Sequence, residues 1–405
     1  MDKQIDICGD DGMSMTSISE SCELHARIGW QGLTKKEYLD EGEYYLVTGV
    51  DFDNGRIDFE KCHYVTKDRY DQDVHIQLKE SDILVTKDGT IGKVAIIDKP
   101  LDKPATLNSG VFVVRPKIPT VLSPQYLMAV LQSNHFERFI ERIKVGCTIA
   151  HLNQEKFLNY EFPLPAIPQQ QYVVNILGIV SNLIALRKRQ LEMMDELVKA
   201  RFVEMFGSLN SPALGCEIKT IQDVCEPIKD GTHQTPEYTD DIAAGFLFLS
   251  SKDVTTGYID WNHPKYIPES LHRDLYSRVA PRKGDLLLAK NGTTGIAAVV
   301  DRDEIFDIYV SLAWLRPTSV DSVFLWGAIN NAETKRQFDS SLKGIGVPNL
   351  HLGEIKKTRI VVGTKERQEQ FSAFVTQIDK SKSVIQKSLV ETQTLFDSLM
   401  QQYFG

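Results

Sequence analysis

Asp82-Ile83-Leu84-Val85-Thr86-Lys87-Asp88-Gly89-Thr90-Ile91-Gly92 returns, without a gap, as Asp285-Leu286-Leu287-Leu288-Ala289-Lys290-Asn291-Gly292-Thr293-Thr294-Gly295. The repetition extends outward from there. Cys22-Glu23 returns as Cys225-Glu226. Asp51, Gly55, Ile57 and Asp58 return as Asp253, Gly257, Ile259 and Asp260. Arg115-Pro116 returns as Arg316-Pro317, and Gly146, His151 and Leu152 as Gly346, His351 and Leu352. Each half closes on Phe-Gly, at Phe206-Gly207 and Phe404-Gly405. The period is far longer than that of a solenoid repeat. It marks a duplicated domain, and a duplicated domain suits a target with two halves.

Each half reads in one order. Short runs rich in β-branched and aromatic residues, bounded by Gly, Asp and Pro, predict strands. They are 44–48, 83–86, 94–97 and 111–114, then 246–249, 286–289, 297–300 and 313–315. An amphipathic helical stretch follows, Pro124 to Ile143 and Val323 to Leu342. Proline in Pro163-Leu164-Pro165-Ala166-Ile167-Pro168 then marks a boundary. Beyond it, Gln169 to Phe206 contains no proline, and apolar residues recur at Ile176, Ile179, Leu183, Leu186, Met193, Leu197 and Ala200. These steps of three and four predict a heptad seam, with Gln190 at the missing position. The second copy, Arg367 to Phe404, places Phe371, Phe374, Ile378, Ile385, Leu395 and Leu399 on its seam, with Ser381, Ser388 and Thr392. Each helix would be about 57 Å long. Two such helices can pair antiparallel, the alternative being that each packs only on its own domain.

The expected architecture is therefore α/β (α+β). Two similar mixed globular units are joined by two long antiparallel helices forming a coiled coil, with internal pseudo-twofold symmetry. The boundaries are 1–163 and 209–363 for the units, and 164–208 and 364–405 for the helices.

Bulk properties narrow the function. A chain of 405 residues predicts more than one domain. No apolar run approaches the ~18–20 residues that span a bilayer, and the absence of a signal pattern implies the cytoplasm. Six scattered cysteines without Cys-x-x-Cys fit reduced thiols. The net charge of −9 opposes unaided DNA binding, because Lys and Arg supply non-specific affinity. A DNA binder of this charge needs local patches or a more basic partner.

Catalytic motifs are not found. Lys87-Asp88-Gly89-Thr90-Ile91-Gly92-Lys93 has the wrong glycine spacing for a phosphate loop, and Ile296 replaces Lys93 in the second copy. A strand–turn–strand with glycines at positive φ explains it better. No metal-binding His pair, glycine-rich S-adenosylmethionine turn, nucleophile elbow or complete nuclease motif occurs. The chain reads as non-catalytic, without metal or cofactor of its own.

Three kinds of segment suit DNA contact. Polar loops near each opening carry Arg27, Trp30, Gln31, Lys35 and Lys36 in one half, and Lys229, Thr232, His233, Gln234 and Thr235 in the other. Such side chains read base edges, and these loops differ while their frame repeats. Junctions before the long helices carry Lys144, Thr148, His151 and Asn153, then Lys343, Asn349 and His351. The repeated turns add Lys87 and Thr90, then Lys290, Asn291 and Thr293. Positive charge and backbone amides there suit phosphates, which position without specifying. The plain alternative in each case is a solvated loop or helix face.

Taken together, the whole chain resembles the specificity subunit of Type I restriction–modification systems, often called HsdS. Gly284-Asp285-Leu286-Leu287-Leu288-Ala289-Lys290-Asn291-Gly292-Thr293-Thr294-Gly295 and its partner look like that family's repeated strand–turn motif. Leu164-Pro165-Ala166-Ile167-Pro168-Gln169-Gln170-Gln171, leading into Arg187-Lys188-Arg189-Gln190-Leu191, looks like its central conserved helix. Arg27 to Leu33 and Asp230 to His233 look like openings of its target recognition domains. Val362-Gly363-Thr364-Lys365-Glu366 departs from the usual lead-in to the second helix.

The resemblance implies that each target recognition domain reads one half of a bipartite, asymmetric double-stranded DNA site. The helices would set the spacer. Through Ile176, Leu183, Leu186, Met193, Leu197, Phe371, Ile378, Ile385 and Leu395, they would dock two methyltransferase (modification) subunits. Those subunits would carry S-adenosylmethionine and methylate adenine at N6, and restriction motor and nuclease subunits would join for cleavage. A non-catalytic scaffold binding two copies of a protein partner is the alternative, and an enzyme is a third class that the missing motifs disfavour.

Overall fold

The structure is a computed structural model that describes residues 14–28, 32–144, 151–342 and 348–405. The chain forms two compact units, Met1–Leu186 with Leu389–Gly405, and Arg187–Ser388. Both divisions fall inside the long helices.

In the first unit a four-stranded antiparallel sheet runs in the order Cys22–Ala26, Val111–Pro116, Ile83–Thr86, Val94–Ile96. The second unit repeats it as Cys225–Asp230, Leu312–Pro317, Leu286–Ala289, Ala297–Val299. Both faces of this sheet are covered. Ile83 and Val85 enter one apolar cluster while Leu84 enters another. Leu286 and Leu288 likewise separate from Leu287 and Ala289. A strand buried on both faces has no polar side to show, which is why the motif reads as an unbroken apolar run. A three-stranded sheet stands beside it: His63–Val65, Tyr44–Val47, Ala105–Leu107 in one unit and Lys265–Ile267, Phe246–Leu249, Phe306–Ile308 in the other.

The repeated polar residues hold this frame. Arg115 donates from Nε and Nη2 to the two oxygens of buried Asp82, each at 2.7 Å. Arg316 does the same to Asp285 at 2.9 Å. The Asp51 carboxylate accepts from the Thr48 amide at 2.7 Å, and Asp253 accepts from the Ser250 amide at 2.6 Å. After the motif strands, Gly92 and Gly295 adopt φ of +83° and +78°. A Cβ at either would lie 3.1 Å from Ile140 or 3.0 Å from Phe338, so each turn presses against its helix. Cys22 and Cys225 are buried free thiols, pushed up to about 11 and about 12 by that burial.

The long helices run Ile167–Phe206 and Lys365–Phe404, 40 residues each. In the first unit the beginning of one helix packs with the end of the other: Val173 and Leu177 share a cluster with Met400 and Phe404. In the second unit the ends exchange roles, and Val198, Phe202 and Phe206 meet Phe371 and Val375. The pairing is antiparallel, and each end is also sealed into its unit's core. A buried glutamine fastens each start. Gln170 accepts from the Ser123 amide at 2.9 Å and donates to the Val121 and Pro165 carbonyls. Gln368 accepts from the Asp321 amide at 2.9 Å and donates to the Gly363 carbonyl.

The seam expected on the first helix is corrected. Ile179, Leu183, Leu186, Met193 and Leu197 are 64, 40, 62, 56 and 48% exposed. The buried line is Gln170, Val173, Leu177, Val180, Ile184 and Val198. This helix carries two apolar stripes with the same three-four spacing, one residue apart. Period alone cannot say which faces inward, and Gln170 and Arg187 weaken the inner stripe's signal. On the second helix Phe371 is buried and Ile378 and Ile385 are half-buried, as the spacing requires, with Thr392 buried among them. Leu395 is exposed.

Candidate nucleic-acid interface

The turns and the junctions of each unit meet. The Leu152 amide donates to the Lys87 carbonyl at 2.9 Å, and the Leu350 amide to the Lys290 carbonyl at 2.8 Å. In the first unit Asp88 and His151 also pair directly. In the second, Asn291 forms a bridge with Asn349. The backbone thus gathers Lys87, Thr90, His151 and Asn153 on one side, and Asn291, Thr293, Asn349 and His351 on the other. Thr90, His151, Thr293 and His351 are exposed. Asn153 is spent locally, accepting from the Glu155 and Lys156 amides as a helix cap. Lys144 ends the helix Asn134–Lys144, which also presents exposed Arg138 and Arg142. Those two guanidiniums add to burial in lowering the pKa of His135.

Two cations expected at the interface are internal. Arg27 is 1% exposed. Its guanidinium donates to the Leu107 carbonyl at 2.8 Å, to Thr106 Oγ1 at 3.1 Å and to Gln72 Oε1 at 3.3 Å. Burial lowers its pKa. Lys290 is also buried, with its ammonium 2.7 Å from Asp230. Charges consumed in this way have none left for a phosphate. A sequence shows a cation but not its internal partner. Lys87 lies half-buried over the Phe112 ring, 5.1 Å from its centroid.

The other described residues of the opening loops face outward. Lys35 and Lys36 are exposed on a short turn of helix, Lys35–Glu37, that Arg69 ties down through Glu37. Lys229, His233, Gln234 and Thr235 are exposed, and Thr232 is half-buried. Gly231 anchors this second loop: a Cβ there would lie 1.9 Å from the Ile308 carbonyl oxygen, so no larger residue fits. Trp30, Gln31, Thr148 and Lys343 lie outside the described residues.

Side chains without a repeat partner escaped the sequence reading. His272 and Asp307 form a buried pair in the second unit, Nδ1 to Oδ2 at 2.7 Å. Burial raises the Asp307 pKa against the opposing pull of His272. The first half has Thr106 at that strand position, so duplication gave no cue. Among the described residues no group of three His, Cys, Asp or Glu side chains could hold a metal ion. Nor is any described helix long and apolar enough to cross a membrane.

Comparison with known proteins agrees with the resemblance. Residues 14–194 match the family model described as the Type I restriction modification DNA specificity domain. The chain is 23% identical over 329 residues to the Type I restriction enzyme MjaVIII specificity subunit of Methanocaldococcus jannaschii, covering 75% of this chain and 73% of that protein. Among solved structures, the S subunit of a Type-I restriction-modification system from M. genitalium shares the fold, with TM-score 0.53, 16% identity and coverage of 98% and 97%. A structure from a study of complex assembly and conformational transition of the type I system aligns with TM-score 0.58, 16% identity and coverage of 96% and 97%.

Proposed function

We propose that this chain, residues 14–194 of which match the Type I restriction modification DNA specificity domain, is the DNA-reading, non-catalytic subunit of a type I restriction–modification complex, acting in the cytoplasm. Each unit reads one half of a bipartite, asymmetric duplex site. The helices set the unread spacer and dock two modification subunits. Those partners bind S-adenosylmethionine and methylate adenine at N6 after flipping it from the stack. Motor and nuclease subunits join for restriction.

One observation carries the reading. The two frames repeat down to individual bonds, Asp82–Arg115 and Asp285–Arg316, while the opening loops they support differ in sequence. A shared frame with unlike loops is what two readers of unlike half-sites require. The outer stripe of the first helix supports the docking role. Five apolar side chains in heptad spacing face away from the helix partner, which leaves a ready seam for another chain. The net charge of −9 also fits a subunit whose partners neutralise most phosphates. A scaffold without DNA contact is disfavoured by the match to a DNA specificity domain.

The test is methylation by the complex assembled with its modification subunits. Replacing His233-Gln234-Thr235 by alanines should alter the sequence methylated in one half-site and leave the other half-site intact. Loss of preference in both half-sites together would defeat the assignment of one reader to each half.

A further inference from the structure

The two units differ at one interior site. In the first, Arg27 fills the space between strand Ala105–Leu107 and the segment Arg69–Gln72, bonding to both. In the second, the strand register places Gly231 where Arg27 stands, with Asp230 where Ala26 stands, and Asp307 where Thr106 stands. No arginine plugs the gap. A cavity of about 550 Å³ opens instead, lined by Lys229, Asp230, Thr232, His233, Arg278 and Asp307 among others.

Its floor is built rather than left over. Asp307 is 1% exposed and its Oδ1 has no hydrogen-bond partner. The other oxygen, Oδ2, is held by His272, which is itself stacked on Phe246 with ring centroids 3.8 Å apart and planes 6° apart. Gly231 fixes the opposite wall against the strand. Lys229 reaches across to the Arg278 carbonyl at 3.2 Å. The cavity therefore combines a rigidly held, unsatisfied acceptor with cationic side chains, directly beneath the exposed loop His233–Thr235.

We propose that this cavity is a reading pocket of the second unit for an amino-bearing base edge, cytosine N4 or adenine N6. Asp307 is the specificity-determining acceptor and His272 the positioning residue that holds it. The proposal rests on the DNA-reading function above. Carboxylates accept from cytosine N4 in base recognition. A buried acceptor rejects any base without a donor, because such a base leaves it unpaired. In the first unit Arg27 supplies those donors internally and fills the corresponding space.

The experiment uses the full complex with its modification subunits and a library randomised in both half-sites. Asp307→Asn keeps the shape and replaces one acceptor with a donor. It should lower methylation of the native target at least tenfold and change preference at one position of one half-site. Ser277→Trp, at the exposed rim, blocks entry without touching the buried pair and should affect the same position. Ser277→Trp therefore decides the matter if Asp307→Asn fails to fold. Variants with native melting behaviour and wild-type rate and preference would overturn the pocket while leaving the reading function intact. A wild-type complex that methylates without sequence preference would end both.

Discussion

Position 27 of the first unit corresponds in strand register to position 231 of the second, so a buried arginine in one unit stands where the other has a glycine, next to Asp230. Arg27 is satisfied by carbonyl, hydroxyl and amide oxygens. Asp230 is satisfied by Lys290. Asp82 and Asp285, by contrast, are the same residue with the same arginine partner. The difference shows what duplication preserves. Contacts that set the path of the sheet are kept, because losing one partner strands the other. Contacts under the opening loops are rebuilt with different residues, and so they drift with whatever the loops face.

That contrast is broken most directly at the kept pair. Asp82→Ala and Asp285→Ala each leave a guanidinium without its carboxylate, and removing one partner of a buried pair costs about 3–5 kcal/mol. Urea unfolding should show losses of similar size for the two variants. A loss under about 1 kcal/mol at either position, the scale of an exposed pair, would mean that the repeated frame is not carried by these bonds.

Much of this frame was legible because repetition filters signal from noise. Leu84 and Leu287 announced buried strands, and Gly92 and Gly295 announced tight turns. The direction of a side chain was not legible. Arg27 and Lys35 look alike in sequence, but one is buried and the other exposed. The His272–Asp307 pair was invisible because its partners lie far apart in sequence and have no counterpart. The inner seam was missed because a richer apolar stripe, Ile179 to Leu197, runs beside it.

The two stripes of the first helix give the next comparison. Ile184 is 9% exposed and Leu183 is 40% exposed. Ile184→Ala should cost about 2 kcal/mol or more, the lower range for a core isoleucine. Leu183→Ala should stay within about 0.5 kcal/mol, as exposed helix positions do, while weakening capture of a modification subunit in a pull-down. Equal stability losses would return Leu183 to the helix pair and remove the stripe offered for docking.

The smallest effect concerns a loop clasp of the first unit. The Thr34 amide, then the Arg69 guanidinium and the Thr34 hydroxyl, hold the Glu37 carboxyl down at about 2. A depressed carboxylate contributes stability that is fully present above its unfolded value, near 4.3, and is lost as pH falls through its folded value. Glu37→Gln should therefore lower the melting temperature by a few degrees or less at pH 6, and the gap from wild type should close between about pH 4.3 and 2. The second unit has no such clasp over its opening loop among the described residues. A gap that stayed constant into acid would show that Glu37 acts by packing, and the first loop would then be held no differently from the second.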